Sequence, residues 1–270
     1  LVTGGGAVRP ITFRRKSARY DPAKFIMIGA IPQAGGVAYI HKQDLPRLTD
    51  KTKPAVVMGG IDGNRMGAQM AVWGPEYLGW NVRWVVGYKG NNALMMAIEQ
   101  REVQLMITTS SDTLRPKLES GSYAFPLQTG SAKGGKFIPR PDFPNVPIFS
   151  ELVKPKLSGL ALEAFKAWEA MFQVGKWYAL APGTPDDIAK AYRTAYSKGI
   201  TTPAFDAAAK KAYSPVYETM TGEEMTEVIH NLKKITPEAL AFMDNLKRKV
   251  GIPVGAKKTR KKSEKKKSEK

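Results

Sequence analysis

Three short stretches of the sequence carry residue types that can grip a small anion. Gly59, Gly60, Asn64 and Arg65 stand in GGIDGNR, Lys89, Gly90 and Asn91 in KGN, and Thr108, Thr109 and Ser110 in TTS. Glycines let a ligand approach the backbone, and hydroxyls and amides offer hydrogen bonds. A guanidinium can hold a carboxylate with two bonds at once, which makes Arg65 the expected source of charge attraction. The set suits a carboxylate. Taken singly, each stretch has a plainer explanation, because glycine and asparagine are turn formers and Arg65 could be a solvated surface side chain.

Reaction chemistry finds little support. The chain has no cysteine, which excludes thiolate nucleophiles, disulfides, iron–sulfur clusters and thiolate zinc sites. His41 and His230 are the only histidines, too few for a multi-histidine metal site. The segment 130–137, GSAKGGKF, matches GxxxxGK, but Phe137 stands where a Ser or Thr would meet magnesium, and a Pro-rich stretch follows instead of a helix. There is no GxSxG or HExxH, and GGIDGN lacks the spacing of a dinucleotide loop. Asp21, Asp62 and Asp112 read as turn formers. No catalytic residue, metal or cofactor is expected.

The three stretches need elements that bring them together. A strand at 54–58 runs into the first, and a helix at 66–79 follows, with an interruption expected at Gly74-Pro75. A strand at 81–88 runs into the second, then a helix at 92–102 with Asn91 or Asn92 as cap. A strand at 103–108 ends in the third. This β-α-β-α-β order with short loops predicts a parallel sheet with all three stretches at one edge, where open α/β sheets bind ligands beside helix starts. Further strands are expected at 25–31, 37–41, 123–128 and 177–182. Helices are expected at 158–172, at 185–199 with Thr184 as cap, from Pro203, at 221–235 with a Thr221/Glu224 capping box, and at 237–249. Asp21-Pro22 marks a turn.

The 270 residues carry a formal net charge of +18. The last 14, KKTRKKSEKKKSEK, supply +7 of it and contain nothing that could be buried, so 257–270 is expected to be a disordered Lys-rich tail. A hydrophobic content of 43% is ample for a core, and no apolar run approaches the ~18–20 residues of a membrane span. The absence of cysteine suits an oxidising compartment. The opening LVT reads as a strand entering Gly4-Gly5-Gly6, and no signal peptide is visible in the chain.

Several ordered motifs resemble one family. They are YDPAKF (20–25), GG…GN before a helix (59–64), VVGYKGNNALMMAIEQREVQLMI (85–107), PDFPNVP (141–147) and WYALAPGTP (177–185). Their order and spacing over about 1–255 are similar to the substrate-binding proteins of tripartite tricarboxylate transporters, the Bug-type extracytoplasmic solute receptors. The resemblance implies a fold that is α/β, type II periplasmic-binding-protein-like, with two lobes and mainly parallel sheets. Lobe one would combine 1–41 with 173–256, and lobe two would be 42–172. It implies a small carboxylate ligand bound between the lobes, delivery to membrane permease subunits, a periplasmic location and no enzymatic activity. By position it assigns Gly59–Arg65, Tyr88–Asn92 and Thr108–Ser110 to the ligand turns, which adds Tyr88 to the residues above. Two family features are missing, the opening strand with its Gly-rich loop and an RPGAGG-like stretch, so the N-terminal part of lobe one is expected to be absent and ligand affinity weak. Gln104 stands where the family has an acid. The alternative is a basic nucleic-acid-binding protein acting through the tail. The body offers no aromatic pair, zinc finger or recognition helix for it, so nucleic acid is not the expected partner.

Overall fold

The fold was obtained as a computed structural model that describes residues 2–3, 20–32, 34–61, 66–133, 136–171, 175–212, 215–252 and 254. Asn64, Arg65, the glycines at 4–6 and the Lys-rich tail lie outside the described residues.

Strand β1 (Val2–Thr3) is followed by β2 (Ile26–Ile31), β3 (Val37–His41), β4 (Val56–Gly60), helix α1 (Met66–Tyr77), β5 (Val82–Val86), α2 (Asn91–Glu99), β6 (Leu105–Thr108) and α3 (Ser111–Glu119). Next come β7 (Tyr123–Ala124), the two-stranded ribbon β8 (Ser131–Lys133) and β9 (Lys136–Ile138), then α4 (Phe149–Val153) and α5 (Gly159–Ala170). The chain continues with β10 (Lys176–Leu180), α6 (Asp186–Ile200), α7 (Pro203–Ala212), β11 (Met220–Thr221), α8 (Gly222–Lys233) and α9 (Pro237–Lys249).

One sheet has the order β5-β4-β6-β3-β7. Its centre is the expected parallel unit: Gly60 lies opposite Val86, and Met58 opposite Leu105. Parallel neighbours need a long crossover, and the helices between these strands supply it. β3 and β7 join antiparallel. β4 is buried along its whole length, as a strand covered on both faces must be. The other sheet has the order β1-β10-β2-β11, with antiparallel neighbours.

Strand β3 moves the lobe boundary. Val37 to Ile40 pair with Thr108 to Leu105, so β3 belongs with the parallel unit. Divided by sheet, the chain crosses over between Ile31 and Val37, not at 41/42. Position in the sequence could not decide this, because the pairing partner lies about seventy residues away.

Local differences have local causes. α1 runs unbroken through Gly74-Pro75, because Pro75 sits in the last turn and removes a single backbone bond. α2 begins at Asn91 behind Gly90, with no side-chain cap. Thr184 gives its hydroxyl to the Ala181 carbonyl and leaves Pro185 at the start of α6. The strand expected at 123–128 shrinks to β7, while Gln128 makes isolated bridges to Val37 and Ile148. The Thr221/Glu224 capping box is present in both directions.

The core is continuous between the sheets. Met27, Trp177 and Ala179 of one sheet join Val56, Met58 and Leu105 of the other through buried residues of α1, α5, α8 and α9. Its aromatic centre links α1, α4 and α5: Trp73 packs edge-on against Phe165 at 4.9 Å, and Trp168 lies 5.6 Å from Phe149. A second cluster, with Tyr39, Val57, Leu94, Ile98 and Met106, fills the face under α2. Among the described residues no helix is long and apolar enough to cross a membrane.

Candidate functional site

Because β4, β5 and β6 run in one direction, their last residues Gly60, Val86 and Thr108 stand at one edge of the sheet. The starts of α1, α2 and α3 follow at that edge. A helix start presents N–H groups without intrahelical acceptors and a partial positive charge.

The first turn begins later than the sequence suggests. Gly59 and Gly60 are strand residues, not loop. A Cβ on Gly59 would sit 2.4 Å from Leu94 Cδ1, so this glycine lets α2 lie on the sheet. The Gly60 carbonyl accepts from the Gly87 and Tyr88 N–H groups at 3.1 and 3.4 Å. Both glycines therefore act in packing and pairing.

The second turn leaves β5 through Gly87 at φ +114°, in the region that favours glycine. Tyr88 is half-buried and packs under α2. Burial, followed by the charge and hydrogen bonding of Glu102, raises its hydroxyl above the ordinary tyrosine range. Lys89 and Asn91 are exposed, and the uncapped first turn of α2 follows Gly90.

The third turn is the most ordered. Thr108 Oγ1 accepts from the Ser110 N–H at 3.2 Å, and among the described residues its own proton has no acceptor. Ser110 caps α3 by accepting from the Thr113 N–H at 3.3 Å. The N–H groups of Ser111 and Asp112 then remain without intrahelical acceptors. Asp112, in that first turn, is exposed and carries the charge that opposes an anion.

Behind this turn lies Arg140, a residue the sequence reading did not single out. It is 0% exposed, and every guanidinium donor is matched. Nε and one Nη2 proton hold the Asp142 carboxylate at 2.9 and 2.7 Å. Nη1 donates to the Gly35 and Thr109 carbonyls, both at 2.9 Å, and Nη2 also donates to Ser111 Oγ at 2.8 Å. Gln128, also buried, accepts from the Arg140 N–H at 2.8 Å and donates to the Phe143 and Val146 carbonyls. The Pro-rich segment 139–147 is thereby fixed against the crossover. The only available signal was the spacing in Arg140-Pro141-Asp142, which puts a carboxylate within reach of the guanidinium but does not reveal burial.

The crossover forms the neighbouring wall. The Gly36 N–H donates to Thr129 Oγ1 at 2.7 Å, and the Thr129 N–H donates to the Gly36 carbonyl at 2.8 Å. Among the described residues no group of acidic or histidine side chains could hold a metal ion. Gly60, Lys89, Gly90, Asn91, Thr108, Thr109 and Ser110 are thus brought to one edge, whereas Gly59 and the Tyr88 hydroxyl point to packing. Asn64 and Arg65 lie outside the described residues. The edge can offer hydroxyl and backbone N–H donors, two helix starts and the Lys89 ammonium.

No family model and no curated protein matches the sequence. Solved structures do. An R. palustris protein with adipate aligns at a TM-score of 0.61 and 17% identity, over 93% of this chain and 77% of that one. The periplasmic binding protein BugD aligns at 0.58 and 19%, over 93% and 77%. MatC from Rhodopseudomonas palustris with bound malate aligns at 0.55 and 16%, over 90% and 77%. The chain has the fold of these proteins, which is the fold that the sequence motifs implied.

Proposed function

We propose that the protein is an extracytoplasmic solute receptor that captures a small carboxylate at the edge where β4, β5 and β6 end. In this reading it delivers its ligand to permease subunits of a tripartite tricarboxylate-type transporter, acts in the periplasm and catalyses no reaction. The observation that carries the proposal is the convergence of three turns at one edge, with Thr108 free to donate and α2 uncapped. Two structural neighbours hold the dicarboxylates adipate and malate, which supports the ligand class. Lys89, Gly90, Asn91, Thr108, Thr109 and Ser110 are proposed as direct contacts, and Asn64 and Arg65 as contributors from the first turn.

Thermal unfolding in the presence of adipate, malate and monocarboxylates tests this. A ligand at a hundred times its Kd should stabilise the fold by about 2.7 kcal/mol. An unchanged melting temperature across the panel overturns the proposal. The same titration with duplex DNA at rising salt tests the alternative, in which the basic tail binds nucleic acid with an affinity that falls steeply with salt.

A further inference from the structure

We infer that Arg140 is a positioning residue for carboxylate binding, acting through the Thr109–Ser110 peptide on the Thr108 hydroxyl. The inference rests on the reading of the preceding subsection. Arg140 touches no ligand position itself, because its guanidinium is 0% exposed and its five N–H donors are all used within the protein.

The geometry makes a short relay. Arg140 Nη1 holds the Thr109 carbonyl at 2.9 Å. A trans peptide is planar, so its carbonyl and its following N–H point in opposite directions. Fixing the Thr109 carbonyl toward Arg140 therefore aims the Ser110 N–H away from it. That N–H meets Thr108 Oγ1 at 3.2 Å and occupies an acceptor position of the hydroxyl. The hydroxyl proton is then left for a carboxylate at the sheet edge. Nη2 adds a second hold on the turn through Ser111 Oγ, and Nη1 ties the whole to Gly35 in the crossover.

Lysine cannot replace this arrangement. Its ammonium has three donors at one point, while the fork reaches two carbonyls, a hydroxyl and a carboxylate in separate directions. Asp142 neutralises the charge, so the burial is supported and the guanidinium is held in one orientation.

The test is a double-mutant cycle on the full chain, with adipate and malate as probes in calorimetric titration. Arg140→Lys is expected to weaken binding by about tenfold to a hundredfold, the range for losing hydrogen bonds to a charged group. Thr108→Val is expected to weaken wild-type binding and to have little further effect in the Arg140→Lys background, because the hydroxyl is already misdirected. Additive losses would mean that Arg140 supports the fold without directing Thr108, and would overturn the inference. Equal affinity in wild type and Arg140→Lys would also overturn it, while leaving the carboxylate reading intact. A wild-type chain that binds neither acid overturns that reading and this inference together. If circular dichroism finds Arg140→Lys unfolded, Asp142→Asn replaces it in the cycle, since it loosens the guanidinium without removing it, and the same non-additivity with Thr108→Val is required.

Discussion

At the residue scale, the proposed site combines groups that attract an anion with one that repels it. Asp112 occupies the first turn of α3, where a carboxylate favours the helix but competes with a bound anion. Asp112→Asn should raise carboxylate affinity about two- to fivefold and lower stability by about 0.3–1 kcal/mol, the size of a helix-dipole interaction. Titration and thermal unfolding of the same variant read the two effects, and affinity that falls along with stability would contradict the argument. Gln104 has a comparable local logic. Its Oε1 accepts from the Val57 N–H at 3.0 Å, and its Nε2 donates to the carbonyl of Arg101, which sits at φ +62°. An ionised acid there could accept but not donate, whereas the glutamine amide makes both bonds. The hydroxyls at Thr108–Ser110 were legible in the sequence as hydrogen-bonding groups. Their individual duties were not, because these depend on which neighbour each oxygen meets.

At the scale of elements, the parallel unit was readable because its signals are local: apolar runs, short loops and helix-forming segments in alternation. The Thr221/Glu224 capping box was readable for the same reason. The Gly59-Gly60 pair misled because two adjacent glycines usually mark a loop, whereas here Leu94 of α2 occupies the space a side chain would take. Gly59→Ala should therefore cost about 1–3 kcal/mol through overpacking. Adding Leu94→Ala should recover part of that loss, since it removes the atom nearest the new Cβ. Chemical denaturation of the two single variants and the double variant checks this, and a double variant no more stable than the sum of the single losses would place the strain elsewhere. Arg140 escaped notice at this scale too. A charged residue in a Pro-rich stretch normally belongs to the surface, and its burial is set by Gly35 and by the Thr109 and Ser111 turn, which arrive from distant parts of the chain.

At the scale of the whole molecule, the two sheets do not have separate interiors. α5 and α9 pack together, the α9 cap Thr236 donates to Glu163 of α5, and Lys249 of α9 reaches Glu76 of α1. The apolar cluster runs through this layer from Met27 to Met58. Calorimetry should accordingly record one unfolding transition, with calorimetric and van't Hoff enthalpies in agreement. Two resolved transitions would mean that the sheets unfold independently. The composition foretold a sizeable core but could not indicate that the sheets share it. The crossover between them has a mechanical consequence. Gly35 is held by Arg140 and Gly36 by Thr129, and both holders belong to the half containing the parallel strands. That end of the connection behaves as a clamped beam. In any swing of one half against the other, Gly35 and Gly36 would therefore travel with the turn after β6, which the same Arg140 guanidinium holds through the Thr109 carbonyl.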